Sequence, residues 1–271
     1  MRRGAPLARL GVELLMHIFS SQGAPTNSLM ATPSSLLICT KNIPLSKSGS
    51  TFEVKLKMPE GQNFQFKAGQ FALFDVPSIE NPADIQPRAY SIASSPSEDQ
   101  ELTFVIMNKE GGRATRWIKE TLKVGDTVCI QGPFGVFTLR AENPKDFVFI
   151  ATGTGLAPFT SMIPDALANG DMRPMHLFFC VRHEEDLFCV DDLRVLEKNY
   201  PNFHAHISLS QPTGSWKGLR GRVQQIIPTV ITDFSWHQFY ACGSPDMVRS
   251  MKDWLMERGV EKKDMHAEGY V

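Results

Sequence analysis

No stretch of the sequence is apolar for long enough to make a bilayer-spanning helix, so no membrane span is expected. Paired cysteines are missing too. Cys39, Cys129, Cys180, Cys189 and Cys242 are odd in number and irregularly spaced. That argues against a disulfide framework and against CxxC-based zinc or iron–sulfur ligation; reduced thiols in a cytoplasmic setting are the simplest reading. Neither sign of charge dominates, the net charge being −1, and nucleic acid is not an expected partner. Repeats are absent, and so is low complexity beyond the first thirty residues. What is present is a chain of 271 residues, 42% hydrophobic and 21% charged, long enough for two ordinary globular domains.

The opening "MRRGAPLARLGVELLMHIF" has a basic start and a short apolar run that Glu13 and His17 interrupt. A transit peptide is one reading, and an organelle-targeting leader stays open. The favoured reading is a leader without stable structure over residues 1–34, or a start placed too early, since Met30 precedes the first patterned strand.

From Ser35 to about Leu139 the signals are those of strands. "SSLLICTKNI", "TFEVKLKM", "GQFALFDV", "RAYSIASS", "ELTFVIMN" and "DTVCIQG" are short β-rich runs punctuated by Gly, Pro, Asn and Asp. They predict an antiparallel barrel or sandwich, with one inserted helix in "GGRATRWIKETLKVGD". After Pro144 strands alternate with helices: "DFVFIAT", "MHLFFCV", "FHAHISLS" and "QFYACG" between helical stretches, of which "SPDMVRSMKDWLMERG" is the best formed. This predicts a parallel sheet covered on both faces. The expected division is 35–141 and 142–271.

Several residues ask for partners. In "RAYSIASSP" a period of two puts Arg88, Tyr90 and Ile92 on one face and Ala89, Ser91 and Ala93 on the other. Arg88 offers a fork suited to phosphate, Tyr90 a flat face, and Ser91 a hydrogen bond to a ring heteroatom. A solvated edge strand explains the same residues. In "ATGTGLAPF" a strand ends in a glycine turn and a helix begins, which leaves backbone N–H groups facing an anion. Gly153 and Gly155 permit close approach of a diphosphate. Pro158 stands where the third glycine of GxGxxG would be, and no GK[ST] is present. Cys242-Gly243 ends a later strand, where open sheets bind ligands; a buried core cysteine is the plainer account. Glu268 and Tyr270 lie at the terminus, where a frayed tail is the ordinary expectation. His204 and His206 form an HxH with no third ligand in view, so no metal is expected.

The order RxYS, GG-x-x-T, GPxG, GTGxAP, CG and a terminal E-x-aromatic resembles the ferredoxin–NADP reductase superfamily, above all its bacterial NAD(P)H-dependent flavoprotein reductases. "FKAGQFALF", "GPFGVF", "VRHEEDLFCVDDL", "SWKGLRGRV" and "ACGSPDMV" fit the same pattern in order, over about residues 35–271. The resemblance implies FAD on a six-stranded antiparallel β-barrel and NADH or NADPH on a following α/β domain. Arg88 would then bind the FAD diphosphate, Tyr90 would stack on the flavin, and Ser91 would bond near its N5. Gly112, Ala114 and Thr115 would hold FAD phosphate. Gly153, Thr154 and Gly155 would cradle the pyridine dinucleotide, with Thr154, Cys242 and Gly243 beside the nicotinamide. Glu268 would relay protons or steer the acceptor, and Tyr270 would lie near the flavin. Ser91, Cys242 and Glu268 are the expected catalytic residues.

No ferredoxin-type cysteine set is present, so electrons are expected to leave to a separate acceptor: a ferredoxin, a flavodoxin, an oxygenase partner, free flavin or a small oxidant. The donor stays open. Relatives that use NADPH tend to carry a serine–arginine pair where this chain has Ser210-Gln211, and Arg182, Lys217, Arg220 and Arg222 are nearby candidates for a 2′-phosphate. The reading is an FAD-dependent oxidoreductase. Its alternatives are an FAD/NAD-binding subunit without turnover and a reductase of free flavin.

Overall fold

The computed structural model describes residues 34–97 and 101–270. Of the leader expected over 1–34, residues 1–33 lie outside the described residues, and Ser34 opens the first strand.

Alternation of apolar and polar side chains builds the first sheet. In β3 (Phe71–Pro77), Ala72, Phe74 and Val76 are fully buried while their neighbours are not. The other strands are β1 (Ser34–Pro44), β2 (Thr51–Lys57), β4 (Ile85–Ser91), β5 (Glu101–Met107) and β6 (Thr127–Phe134). They pair antiparallel in the order β4-β3-β6-β1-β2-β5. The two edges meet where Ile92 bridges Phe104 and the Ala93 N–H donates to the Thr103 carbonyl at 2.7 Å. The sheet therefore curls into a partly closed barrel around Leu37, Val54, Leu56, Phe74, Phe104 and Ile130. Helix α1 (Arg113–Glu120) packs on it through Trp117 and Ile118, with Leu122 just beyond. The Asn42 amide donates to the carbonyls of Ile118 and Leu122 at 2.7 and 2.9 Å, which satisfies the end of the helix.

The second sheet is parallel throughout: β7 (Asp146–Thr152), β8 (Met175–Val181), β9 (Phe203–Leu209), β10 (Leu219–Arg220), β11 (His237–Gly243) and β12 (Met265–Gly269), in the order β10-β9-β8-β7-β11-β12. One face packs on α2 (Ala157–Ala168) and α3 (Val190–Asn199). The other packs on α4 (Val223–Ile226) and α5 (Pro245–Met256). Coverage of both faces is why "DFVFIAT" and "MHLFFCV" read as continuous apolar runs. Strand β10, too short to leave a clear signal, covers only one end of β9. At Ala205 the exposed edge is met by side chains of α3: Glu197 accepts from the Ala205 N–H at 2.9 Å, and Arg194 donates to its carbonyl at 3.1 Å.

Of the two histidines of the HxH, His204 is exposed and His206 half-buried. His206 stacks on Phe178 at 4.6 Å and shares a 3.1 Å hydrogen bond with His176 of the next strand. Among the described residues, no group of three or more His, Cys, Asp or Glu is arranged to hold a metal ion.

The two sheets share apolar contact. Ala68, Ala93 and Val105 from the first join the cluster that contains Phe159 and Met162 of α2. The Thr160 hydroxyl donates to the Ala93 carbonyl at 2.9 Å. The linking segment is fixed as well: Arg140 N–H donates to the buried Tyr240 hydroxyl at 2.8 Å. Near it the Asp264 carboxylate, 1% exposed, takes Lys145 at 2.7 Å and Asn143 at 3.0 Å. Burial alone would raise its pKa, yet these two donors hold it below the usual range. Asp264→Ala should cost about 2 kcal/mol, less than the roughly 3–5 kcal/mol of a fully buried pair because Lys145 keeps some water. Urea denaturation of the variant measures it; an unchanged midpoint would show the pair to be neutral.

Candidate functional site

A cleft of about 1630 Å³ runs between the two sheets, larger than a pocket for one drug-sized molecule and roomy enough for extended ligands. On the second sheet it opens at the carboxyl ends of β7 and β11, where successive strands depart to opposite sides.

The wall from the first sheet begins at β4. Arg88 and Tyr90, on one face of this edge strand, and Ser91, on the other, all line the cleft. Tyr90 meets Phe74 edge-on at 5.1 Å and packs on the barrel core, so its ring is held in place. Burial pushes its hydroxyl up to about 12. Two guanidinium N–H groups of Arg88 donate to Gln86 and to the Pro87 carbonyl, both at 2.8 Å, which orients the fork and leaves other donors over. Beside it, α1 starts at Gly112 with no side-chain cap, so the amides of Arg113, Ala114 and Thr115 lack helical partners and face the cleft. The Thr115 hydroxyl is otherwise engaged: it accepts from Lys109 N–H at 2.9 Å and donates to the Met107 carbonyl at 3.4 Å, shaping the turn.

The opposite wall is the turn after β7. Thr152, Gly153 and Thr154 line the cleft, and Gly153 has φ +52°. Gly155 does not reach the cleft. A Cβ there would fall 2.1 Å from the Cys242 carbonyl oxygen and 2.6 Å from Gly243 N, so this glycine is needed to seat the turn on β11. Gly243 does line the cleft; Cys242 does not, being wholly buried.

The walls meet in a polar knot. Cys242 and Glu268 are register partners on β11 and β12. The Tyr270 N–H donates to the Gly243 carbonyl at 2.9 Å, so the terminus is ordered through Tyr270. Its hydroxyl lies 2.7 Å from Ser91 Oγ and also contacts the Cys242 thiol. Ser91 Oγ donates to Glu268 Oε1 at 3.3 Å. Burial raises the Glu268 carboxyl above the ordinary carboxylate range, against a lowering by that hydrogen bond. Burial likewise drives the Tyr270 hydroxyl and the Cys242 thiol well above their usual values.

At another end of the cleft stand Arg182, Ser210, Gln211 and Arg222. Two further basic candidates are not among the residues that line the cleft. Arg220 donates to the carbonyls of Thr213, Gly214 and Trp216, and Lys217 does not line the cleft. Lys109 and Asp186 are lining residues that the sequence patterns do not single out. Each sits in a polar loop whose place at the cleft depends on the tertiary fold.

Residues 37–139 match the model of the oxidoreductase FAD-binding domain, and 149–253 that of the oxidoreductase NAD-binding domain. Ferredoxin–NADP reductase B of Sorangium cellulosum is 31% identical over 225 residues, covering 80% of this chain and 91% of the relative. The chain belongs to the ferredoxin–NADP reductase family. Other relatives in this family are longer. Phenol hydroxylase P5 protein of Acinetobacter pittii is 35% identical over 76% of this chain, and the toluate 1,2-dioxygenase electron transfer component of Pseudomonas putida 31% over 83%. The chain spans 58% and 64% of those two proteins. Among solved structures, the cytochrome P450 reductase GcoB of Amycolatopsis superposes with TM-score 0.78 at 26% identity, over 88% of this chain and 71% of that one. The chain thus carries an oxidoreductase FAD-binding domain followed by an oxidoreductase NAD-binding domain. No helix among the described residues is long and apolar enough to cross a membrane.

The seclusion of Cys242 has a consequence for its reactivity, since the thiolate is the reactive form. In the folded protein Cys242 should resist iodoacetamide at pH 8 and react on unfolding. Peptide mass spectrometry reads both states, and rapid labelling of folded protein would contradict the packing of Tyr270 over it.

Proposed function

We propose that the protein is an NAD(P)H-dependent flavoprotein reductase that hands electrons to a separate acceptor protein. The observation that carries this reading is a single cleft with an uncapped helix terminus and Arg88 on one wall and a glycine turn on the other, joined at Ser91, Glu268 and Tyr270. Bound FAD would supply acceptance of a hydride from the nicotinamide and release of electrons in turn.

The residues suit that task. Arg88 and the amides of residues 113–115 fit a diphosphate, through fork and helix dipole together. Tyr90 presents a fixed aromatic face to a planar ring. The turn Thr152-Gly153-Thr154 and Gly243 let a second nucleotide approach backbone closely. Glu268, its proton held more firmly by burial, is placed to exchange it through the Ser91 hydroxyl. Tyr270 lines the cleft between Ser91 and the Cys242 thiol. Arg182 and Arg222 are the basic groups offered to a 2′-phosphate, and Gln211 is an uncharged neighbour.

This reading carries its own division of the chain, with 35–141 as the FAD-binding and 142–271 as the NAD(P)-binding domain, and a cytoplasmic setting. The phenol hydroxylase and toluate dioxygenase relatives support an oxygenase component or a ferredoxin as acceptor.

Two experiments test it. Purified protein with FAD should oxidise NADH or NADPH with ferricyanide as acceptor, and the ratio of the two rates gives the donor preference. Turnover with neither would refute the reading. Arg88→Ala should lose FAD during gel filtration, by about tenfold or more in affinity for a lost charge-assisted contact. Wild-type flavin content in that variant would remove Arg88 from the diphosphate site.

A further inference from the structure

The loop between β1 and β2 carries three serines that turn toward one another. Ser46 Oγ lies 3.2 Å from Ser48 Oγ and 3.1 Å from Ser50 Oγ, and Ser48 donates to Ser50 at 2.8 Å. Gly49, with φ +68°, allows the tight turn between them. The loop is tied to the end of β5: Asn108 donates to the carbonyls of Ser50 and Gly49 at 2.8 and 2.9 Å. Asn108 is followed by Lys109 and the turn into α1, the helix whose bare amides face the cleft.

From there the loop reaches across to the second sheet. The Ser48 N–H donates to the Glu185 carbonyl at 2.9 Å, and Ser50 Oγ donates to Asp186 Oδ1 at 3.2 Å. The other carboxylate oxygen of Asp186 takes the His183 N–H at 3.3 Å. His183 Nδ1 stands 3.0 Å from the Gln211 carbonyl, and the Gln211 N–H donates to the Arg182 carbonyl at 2.9 Å. A continuous run of hydrogen bonds therefore leads from the turn before α1, across the gap, to the loops that end β8 and β9. Ser50, Asn108, Asp186 and Gln211 all line the cleft.

The geometry points to a positioning clasp: Ser48 and Ser50 held against Glu185 and Asp186 fix the spacing between the α1 turn and the β8 and β9 loops, and so the alignment of the two nucleotides in the cleft. The inference rests on the reductase reading above. Hydride transfer, two electrons with one proton from reduced nicotinamide to oxidised flavin, depends steeply on approach, and a misplacement of about 1 Å costs on the order of a hundredfold in rate. The two sheets meet at the apolar contact, at the Thr160–Ala93 bond and at the knot at Ser91, and a further attachment beside the α1 turn sets the width of the gap there. The clasp supplies it through backbone as well as side chains. Its groups sit at the cleft's rim, as positioning residues acting through the segments they tether.

The test uses the full chain loaded with FAD, as wild type and as Ser50→Ala, Ser50→Thr and Asp186→Ala. Hydrogen–deuterium exchange reads the Ser48 amide. Stopped-flow absorbance reads flavin bleaching over a range of NADH and NADPH concentrations. Ser50→Ala and Asp186→Ala should speed exchange at Ser48 and lower the limiting bleaching rate about tenfold, with flavin content unchanged. Ser50→Thr keeps the hydroxyl and should stay near wild type in both. Unchanged exchange in the alanine variants would show that the clasp does not form. Faster exchange with an unchanged limiting rate would reduce it to a surface contact and overturn the positioning role. If neither nucleotide bleaches the wild type, the reductase reading falls, and this inference with it. A wild type that bleaches alongside alanine variants that match it refutes the clasp alone.

Discussion

At Gly155 the turn that follows β7 lies directly on the backbone of Cys242 and Gly243, closer than any side chain would allow. Much of the cleft depends on that approach. It brings β7 and β11, paired in register, together at the cleft, which Thr152, Gly153, Thr154 and Gly243 line. At its two glycines that wall can sit near a ligand and offer backbone amide groups to it. The same packing places Tyr270 by its hydrogen bond to Gly243, and Tyr270 carries the contact to Ser91 on the other sheet. One glycine thus governs both a surface for a nucleotide and the seam between the sheets.

The seam follows a similar economy of parts. Apolar contact between the sheets is modest, drawing Ala68, Ala93 and Val105 into the cluster around Phe159 and Met162. Direction comes from hydrogen bonds: Thr160 to Ala93, Ser91 to Glu268 and Tyr270, and the serine loop to residues 185 and 186. Apolar packing tolerates sliding, whereas hydrogen bonds weaken steeply with misalignment. A cleft that must hold its width is better defined by the second kind.

How much of this was legible follows from how local each signal is. The strands of the first sheet showed in their alternation and those of the second in continuous apolar runs, because burial on one face or on both writes directly into the sequence. The helix opened by Ser244-Pro245 was readable from its cap, and Ser244 Oγ does accept from Met247 N–H. Arg88, Tyr90, Ser91, Gly153, Thr154 and Gly243 were nominated from short patterns, and all line the cleft. Gly155 and Cys242 were nominated from the same patterns, yet they lie behind the wall, since a pattern does not say which glycine meets a ligand and which meets the chain. Thr115 shows the same ambiguity, its hydroxyl bound into the turn. The partner of Ser50 stood 136 residues away in sequence, and no period or composition joins the two loops. His176, beside His206, was hidden in the same way.

The polar knot also bears on why two sheets are needed at all. Ser91 is 4% exposed, and Glu268 and Tyr270 are shielded enough that burial dominates their protonation. Buried polar groups are stable only when satisfied, and here Ser91 belongs to one sheet while Glu268 and Tyr270 belong to the other. Bringing the sheets together buries Ser91 and sets its hydroxyl toward Glu268, whose carboxyl burial holds above the usual range. Closing the seam and tuning the proton are therefore one process, and the same closure defines the space that a nucleotide must enter.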